Sequence, residues 1–169
     1  GELMKKSYEF LNNHPVNLDR AKRGLKKANS IWIWGEGRKP SLENFEKAHG
    51  LKGSVISAVD LIKGIGICAG LNSIDVEGAT GNVHTNFDGK AKACLEAIKS
   101  GDDYVFVHME APDEAGHRAE TDNKIKSIEL IDEKVVGYLI KELNALSVDY
   151  RMLILPDHPT PLRLRTHTR

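Results

Sequence analysis

Two hydrophobic periods run along this chain of 169 residues. Short continuous apolar runs at 30–34, 53–59, 73–76, 103–107 and 151–155 predict strands, because a strand buried on both faces needs no alternation. Between them, apolar residues recur every three or four positions, which predicts helices over 4–12, 41–49, 61–71, 88–100 and 121–145. In 88–100 the apolar face is Ala91, Cys94, Leu95 and Ile98. In 121–145 it is Ile125, Ile128, Ile131, Val135, Leu139 and Leu143, and Glu129, Glu133, Lys134 and Lys141 take the wet side. Trp32 and Trp34 share one side of their strand. Pro40 and Ser41 mark a helix start and Gly50 its end. His14-Pro15 breaks the first helix, 17–27 reads as a basic exposed helix or loop, and 77–85 as a loop. Strand and helix alternating in this way predict a mostly parallel sheet with helices on both faces.

Composition narrows the class. Lys plus Arg and Asp plus Glu number 24 each, so no net field favours nucleic acid or an anionic membrane. No apolar run reaches the roughly 20 residues that span a bilayer, and the N-terminus lacks a signal-peptide layout. Cys68 and Cys94 have no metal-type spacing and read as buried free thiols, so the expected location is cytoplasmic. Gly64-Ile65-Gly66-Ile67-Cys68-Ala69-Gly70 has the composition of a dinucleotide loop but not its spacing, so no nucleotide cofactor is expected.

The chemistry concentrates in residues 108–117, just past the strand at 103–107. Asp113 and His117 are four apart there, Asp157-His158 directly follow the run at 151–155, and His167 comes nine residues later, within reach through a loop containing Pro159 and Pro161. Carboxylate and imidazole are both ligands of divalent metals. In open α/β sheets ligands gather outside the carboxyl ends of strands, so the two groups are expected on one edge. Crowding acidic and imidazole groups together is costly unless a cation orders them. Arg38, beyond a strand and beside Gly35 and Gly37, suits phosphate.

The phrases Glu110-Ala111-Pro112-Asp113-Glu114-Ala115-Gly116-His117, Leu155-Pro156-Asp157-His158-Pro159-Thr160-Pro161 and Arg165-Thr166-His167-Thr168 resemble the archaeal-type cofactor-independent phosphoglycerate mutases and relatives proposed as homoserine kinases. Both groups belong to the alkaline phosphatase superfamily. The stretches 31–38 and 53–64 extend the resemblance over nearly the whole chain. It implies an alkaline-phosphatase-like α/β fold, incomplete here, with residues 1–52 ending a small cap domain and residues 53–169 forming the C-terminal part of the metal-binding catalytic domain.

The resemblance also implies two divalent metal ions (manganese, zinc or magnesium). Asp113, His117 and His167 would hold one, and Asp157 and His158 part of the other. Lys63 and Arg38 would hold substrate phosphate and carboxylate. His108 would donate to a ligand carboxylate or cap its strand. The family's Ser or Thr nucleophile and a further Asp have no counterpart phrase here, and Ser54, Ser57 and Ser127 are not in the nucleophile's context. The expectation is thus an inactive fragment of a mutase interconverting 3- and 2-phosphoglycerate, a small phosphorylated metabolite, through a phosphoenzyme. A homoserine kinase-like phosphotransferase, a phosphatase and a non-catalytic domain retaining the ligands are the alternatives. Oligomeric state is not legible.

Overall fold

The computed structural model describes residues 1–35 and 37–168. The chain divides into two compact units, Gly1–Lys39 and Pro40–Arg169. Of the turn expected at 35–38, Glu36 lies outside the described residues.

The first unit contains α1 (Glu2–Leu11) and α2 (Pro15–Lys22). Pro15 opens α2, where its missing N–H costs nothing. Asn17 closes the unit. It is buried, its Nδ2 donates to the carbonyls of Leu11 (2.8 Å) and Ala28 (3.0 Å), and its Oδ1 accepts from the Ala28 N–H (2.8 Å). The strand expected at 30–34 does not form among the described residues. No neighbour completes its backbone ladder, and Trp32 and Trp34 stand 79% and 82% exposed.

The second unit is built on three parallel strands in the order β2-β1-β3: β1 (Gly53–Ile56), β2 (Asn72–Ile74) and β3 (Tyr104–Val107). Helix α4 (Asp60–Cys68) links β1 to β2, and α5 (Phe87–Lys99) carries the chain back past β1 to β3. The two crossovers run in opposite directions across the sheet, so right-handed connections place α4 and α5 on opposite faces. Side chains on β1 alternate accordingly. Val55 faces α4, where a Cβ on Gly66 would collide with it, and Ile56 joins Phe87, Ala91, Cys94 and Leu95 of α5 in the core. Val135, Leu139 and Leu143 complete that core. The expected α/β architecture with both faces covered is thus present in a small sheet.

Several expected boundaries move. The strand at 53–59 stops at Ile56. The helix expected from residue 41 is α3 (Phe45–His49), because Asn44 is the N-cap, its Oδ1 accepting from the Lys47 N–H at 3.0 Å. Gly50 ends it with φ 68°. The long helix from 121 to 145 is α7 (Thr121–Ile131) running through a π-helical stretch, Asp132–Gly137, into α8 (Tyr138–Ala145). The wide turns of that stretch rotate the inward face by roughly one residue step. Val135, Leu139 and Leu143 are therefore buried, whereas Ile125 and Ile128 are 52% and 53% exposed and Ser127 faces inward instead. The run at 151–155 is no strand either. Among the described residues nothing pairs with it, and Leu153, Ile154 and Leu155 are exposed. Cys94 is buried as expected, but Cys68 is only half-buried. No described helix is long and apolar enough to cross a membrane.

Two measurements test this packing. Gly66→Ala should lower stability to urea by about 1–3 kcal/mol, since overpacking forces Val55 aside, whereas Gly64→Ala, with open space at its Cβ, should raise it by about 0.5–1 kcal/mol through helix propensity. Burial pushes the Cys94 thiol up to about 11 from 9.0. A raised thiol pKa gives stability that is full below about pH 9 and lost as pH climbs through 11. A thiol reagent at pH 8 should label one cysteine per native chain quickly and the second only in denaturant; rapid labelling of both would refute the core placement.

Candidate metal centre

At the carboxyl edge of the sheet the chain leaves β3 through His108, whose N–H donates to the Ile56 carbonyl at 2.8 Å, and enters α6 (Ala111–His117). Pro112 sits in the first turn of α6, with its φ already helical. Asp113 and His117, one helical turn apart, project from the same face. Past Pro156 the chain makes a loop back toward α6. The Leu164 and Arg165 amides donate to the Pro161 carbonyl (3.0 and 2.9 Å), and the Thr168 amide donates to the Pro159 carbonyl at 3.0 Å. Arg165 adopts φ 53°, a conformation uncommon outside glycine. This returns His167 to α6.

The result is a triangle. Asp113 Oδ2 lies 3.3 Å from His117 Nε2, Asp113 Oδ1 lies 3.3 Å from His167 Nε2, and the two Nε2 atoms are 3.1 Å apart. Donor atoms held at about 2.1 Å by one divalent ion are roughly 3.0–3.4 Å from each other, and each of these separations lies in that range, with Asp113 presenting a different oxygen to each imidazole. The tautomer fits as well. His117 Nδ1 lies 3.0 Å from the Arg165 carbonyl, which can only accept, so Nδ1 carries a proton and the neutral ring presents its lone pair on Nε2.

The second pair lies alongside. The His158 ring lies against His167, tilted by 35° with centroids 3.7 Å apart, and His158 Nε2 is 3.4 Å from Asp157 Oδ2. Asp157 is 73% exposed and its Oδ1 accepts from the His158 amide at 2.8 Å. Among the described residues, Asp113, His117 and His167 converge as a ligand group, and Asp157 stays outside it. The shared edge expected for both groups is realised through an unpaired loop rather than a fourth strand.

The remaining expected residues are spread further. Lys63, in α4, holds Asp75 beyond β2 at 2.6 Å. That hydrogen bond, with the charges of Asp75 and Asp60, raises its pKa above the usual lysine value. The His108 Nδ1 pairs with Ser57 Oγ at 3.1 Å rather than with a ligand carboxylate. Burial, and then the Lys90 charge, lower its pKa. Arg38 belongs to the other unit and is exposed.

Three residues of this edge were not singled out from the sequence. Lys90 is fully buried, with its Nζ donating to the His108 carbonyl at 3.1 Å. Burial lowers its pKa, against the opposing charge of Glu110. Its signal was its position: three residues after Phe87 and four before Cys94, it stands on the apolar stripe of α5. Glu110 is held above the usual carboxyl range by burial and by the charges of Glu114 and Asp113. Thr160 is buried, and its hydroxyl donates to Asp113 Oδ1. Nothing in its sequence context distinguishes it from an ordinary loop threonine.

Comparison with known proteins shows the family of the chain. Over 167 residues the chain is 52% identical to a 2,3-bisphosphoglycerate-independent phosphoglycerate mutase from Methanothrix thermoacetophila, covering 99% of this chain and 42% of that protein. It is 53% identical over 167 residues to a probable enzyme of the same name from Geobacter sulfurreducens, covering 41% of it. The chain thus spans about two fifths of the length of these relatives. The PH0037 protein of Pyrococcus horikoshii superposes with a TM-score of 0.77 at 34% identity, over 97% of this chain and 42% of that one. The family described as the metalloenzyme superfamily matches residues 5–169, and the chain belongs to it.

Proposed function

We propose that this chain is the metal-binding part of a cofactor-independent phosphoglycerate mutase that interconverts 3- and 2-phosphoglycerate in the cytoplasm. The observation that carries the reading is the Asp113–His117–His167 triangle, with donor atoms within 4.8 Å of one another. The names of relatives about half identical to it support the substrate.

In this reading Asp113, His117 and His167 hold one divalent ion, and Asp157 and His158 supply two donors to a second. Bound there, manganese, zinc or magnesium would neutralise phosphoryl oxygens and make a hydroxyl nucleophile competent at neutral pH. The chain's own contribution is positioning. His117 arrives with its lone pair on Nε2 because Arg165 claims the other nitrogen. Lys63, paired with Asp75, would offer a cation to the substrate's phosphate or carboxylate, and Arg38, in the first unit, is proposed separately as another such cation. Lys90 fixes the His108 carbonyl where β3 ends. Residues 1–52 would be the end of a cap that keeps water from the phosphoenzyme, and residues 53–169 the catalytic core. The Ser or Thr that accepts the phosphoryl group is not among the residues identified here.

Metal binding is the direct test. Titration calorimetry with manganese should show binding that His117→Ala weakens at least tenfold, and that weakens on acidification because ligand imidazoles must be neutral. Equal affinity in the two proteins would remove the triangle from the proposal. For the reaction, the full-length protein should interconvert the phosphoglycerates and lose activity to a chelator, and the 169-residue chain should show no turnover. ATP-dependent phosphorylation of homoserine, or release of free phosphate, in place of isomerisation would overturn the mutase assignment.

A further inference from the structure

We propose that Thr160 is a positioning residue that couples the two cation seats through one hydroxyl group; this rests on the metal-binding reading above. Its side chain touches both ligand sets. Oγ1 donates to Asp113 Oδ1, and it lies 3.4 Å from His158 Nδ1. A hydroxyl carries one proton. With that proton given to the carboxylate, the contact to His158 runs the other way, from Nδ1–H to Oγ1. His158 is then the tautomer whose Nε2 lone pair is free, and that atom sits 3.4 Å from Asp157 Oδ2. One side chain thus holds the Asp113 carboxylate and sets which His158 nitrogen would be left to a cation shared with Asp157.

The position is held from behind. Thr160 is 4% exposed, whereas the side chains of His117 and His167 are 34% and 51% exposed. Lys124 of α7 donates from Nζ to the Thr160 carbonyl at 2.8 Å. Gly116 lets α6 approach so closely that a Cβ there would lie 2.6 Å from the same carbonyl. The ligands themselves belong to a short helix and a loop, with Asp113, His117 and His158 partly exposed and Asp157 and His167 exposed. Thr160 and Gly116 are the buried part of the assembly, and with Lys124 they tie α6, α7 and the returning loop together.

Manganese binding to the protein, read by calorimetry, tests this. Thr160→Val keeps the shape and removes the hydroxyl, and it should lower affinity roughly 10- to 100-fold, the usual cost of losing a ligand's supporting hydrogen bond. Thr160→Ser should restore wild-type affinity. Melting of the metal-free valine variant should fall by no more than the few degrees that one lost hydrogen bond costs. Imidazole nitrogen shifts of the metal-free wild type should report His158 protonated on Nδ1, with that preference lost in Thr160→Val. Should the valine variant fail to fold, Lys124→Met, which unpins the carbonyl and leaves the hydroxyl, should still weaken binding. Wild-type affinity in Thr160→Val (or in Lys124→Met, if the valine variant cannot be made), serine as weak as valine, or His158 protonated on Nε2 in the wild type would overturn the role of Thr160 and leave the metal site standing. No manganese binding by the wild type would overturn both.

Discussion

Two imidazole nitrogens 3.1 Å apart, each 3.3 Å from a carboxylate oxygen of Asp113, are a constraint that the surrounding chain has to satisfy. Lone pairs at that distance repel unless a proton or a cation lies between them. The Arg165 carbonyl occupies the other nitrogen of His117 and so directs a lone pair into the cluster. Much of the local backbone serves this arrangement: the left-handed Arg165, the close approach at Gly116 and the loop closed by Thr168 onto Pro159.

The sheet decides where that cluster stands. Because β1 lies between β2 and β3, the strand order switches direction at β1, and in open α/β sheets such a switch point is where ligands gather beyond the carboxyl ends of the strands. Ser57, Asp75 and His108 are the first residues beyond the three strands, and each meets a side chain at that rim. Lys90 reaches the same rim from inside the core. A buried ammonium costs several kcal/mol unless it is compensated, and the His108 carbonyl and the charge of Glu110 provide that compensation. The polar edge is therefore built by residues that arrive from both the loops and the core.

Part of this was legible in the residues alone. The three strands of the sheet, α5 and the pairing of Asp113 with His117 follow from local periodicity, which depends only on backbone geometry. The apolar runs at 30–34 and 151–155 show the limit of that reasoning. Each has strand composition, but a strand exists only with a neighbour to complete its ladder, and among the described residues neither run has one. The stripe on the long helix failed for another local reason. A π-helical stretch at Asp132–Gly137 changes the rotation per residue, so Ile125 and Ile128 leave the face that Val135 and Leu139 occupy.

What the sequence by itself determined is chemical identity and short-range order: ligand types, their spacing on α6, and the alternation that makes a parallel sheet. The resemblance already groups His167 with Asp113 and His117; only the tertiary structure decided how His167 closes on His117 from 50 positions away, that Asp157 stays at the margin, and that Thr160 stands between Asp113 and His158. Such contacts depend on how a loop folds back against a helix, through Lys124, Gly116 and a single left-handed residue. No periodicity in the chain encodes them, because the atoms that fix them come from segments far apart in sequence.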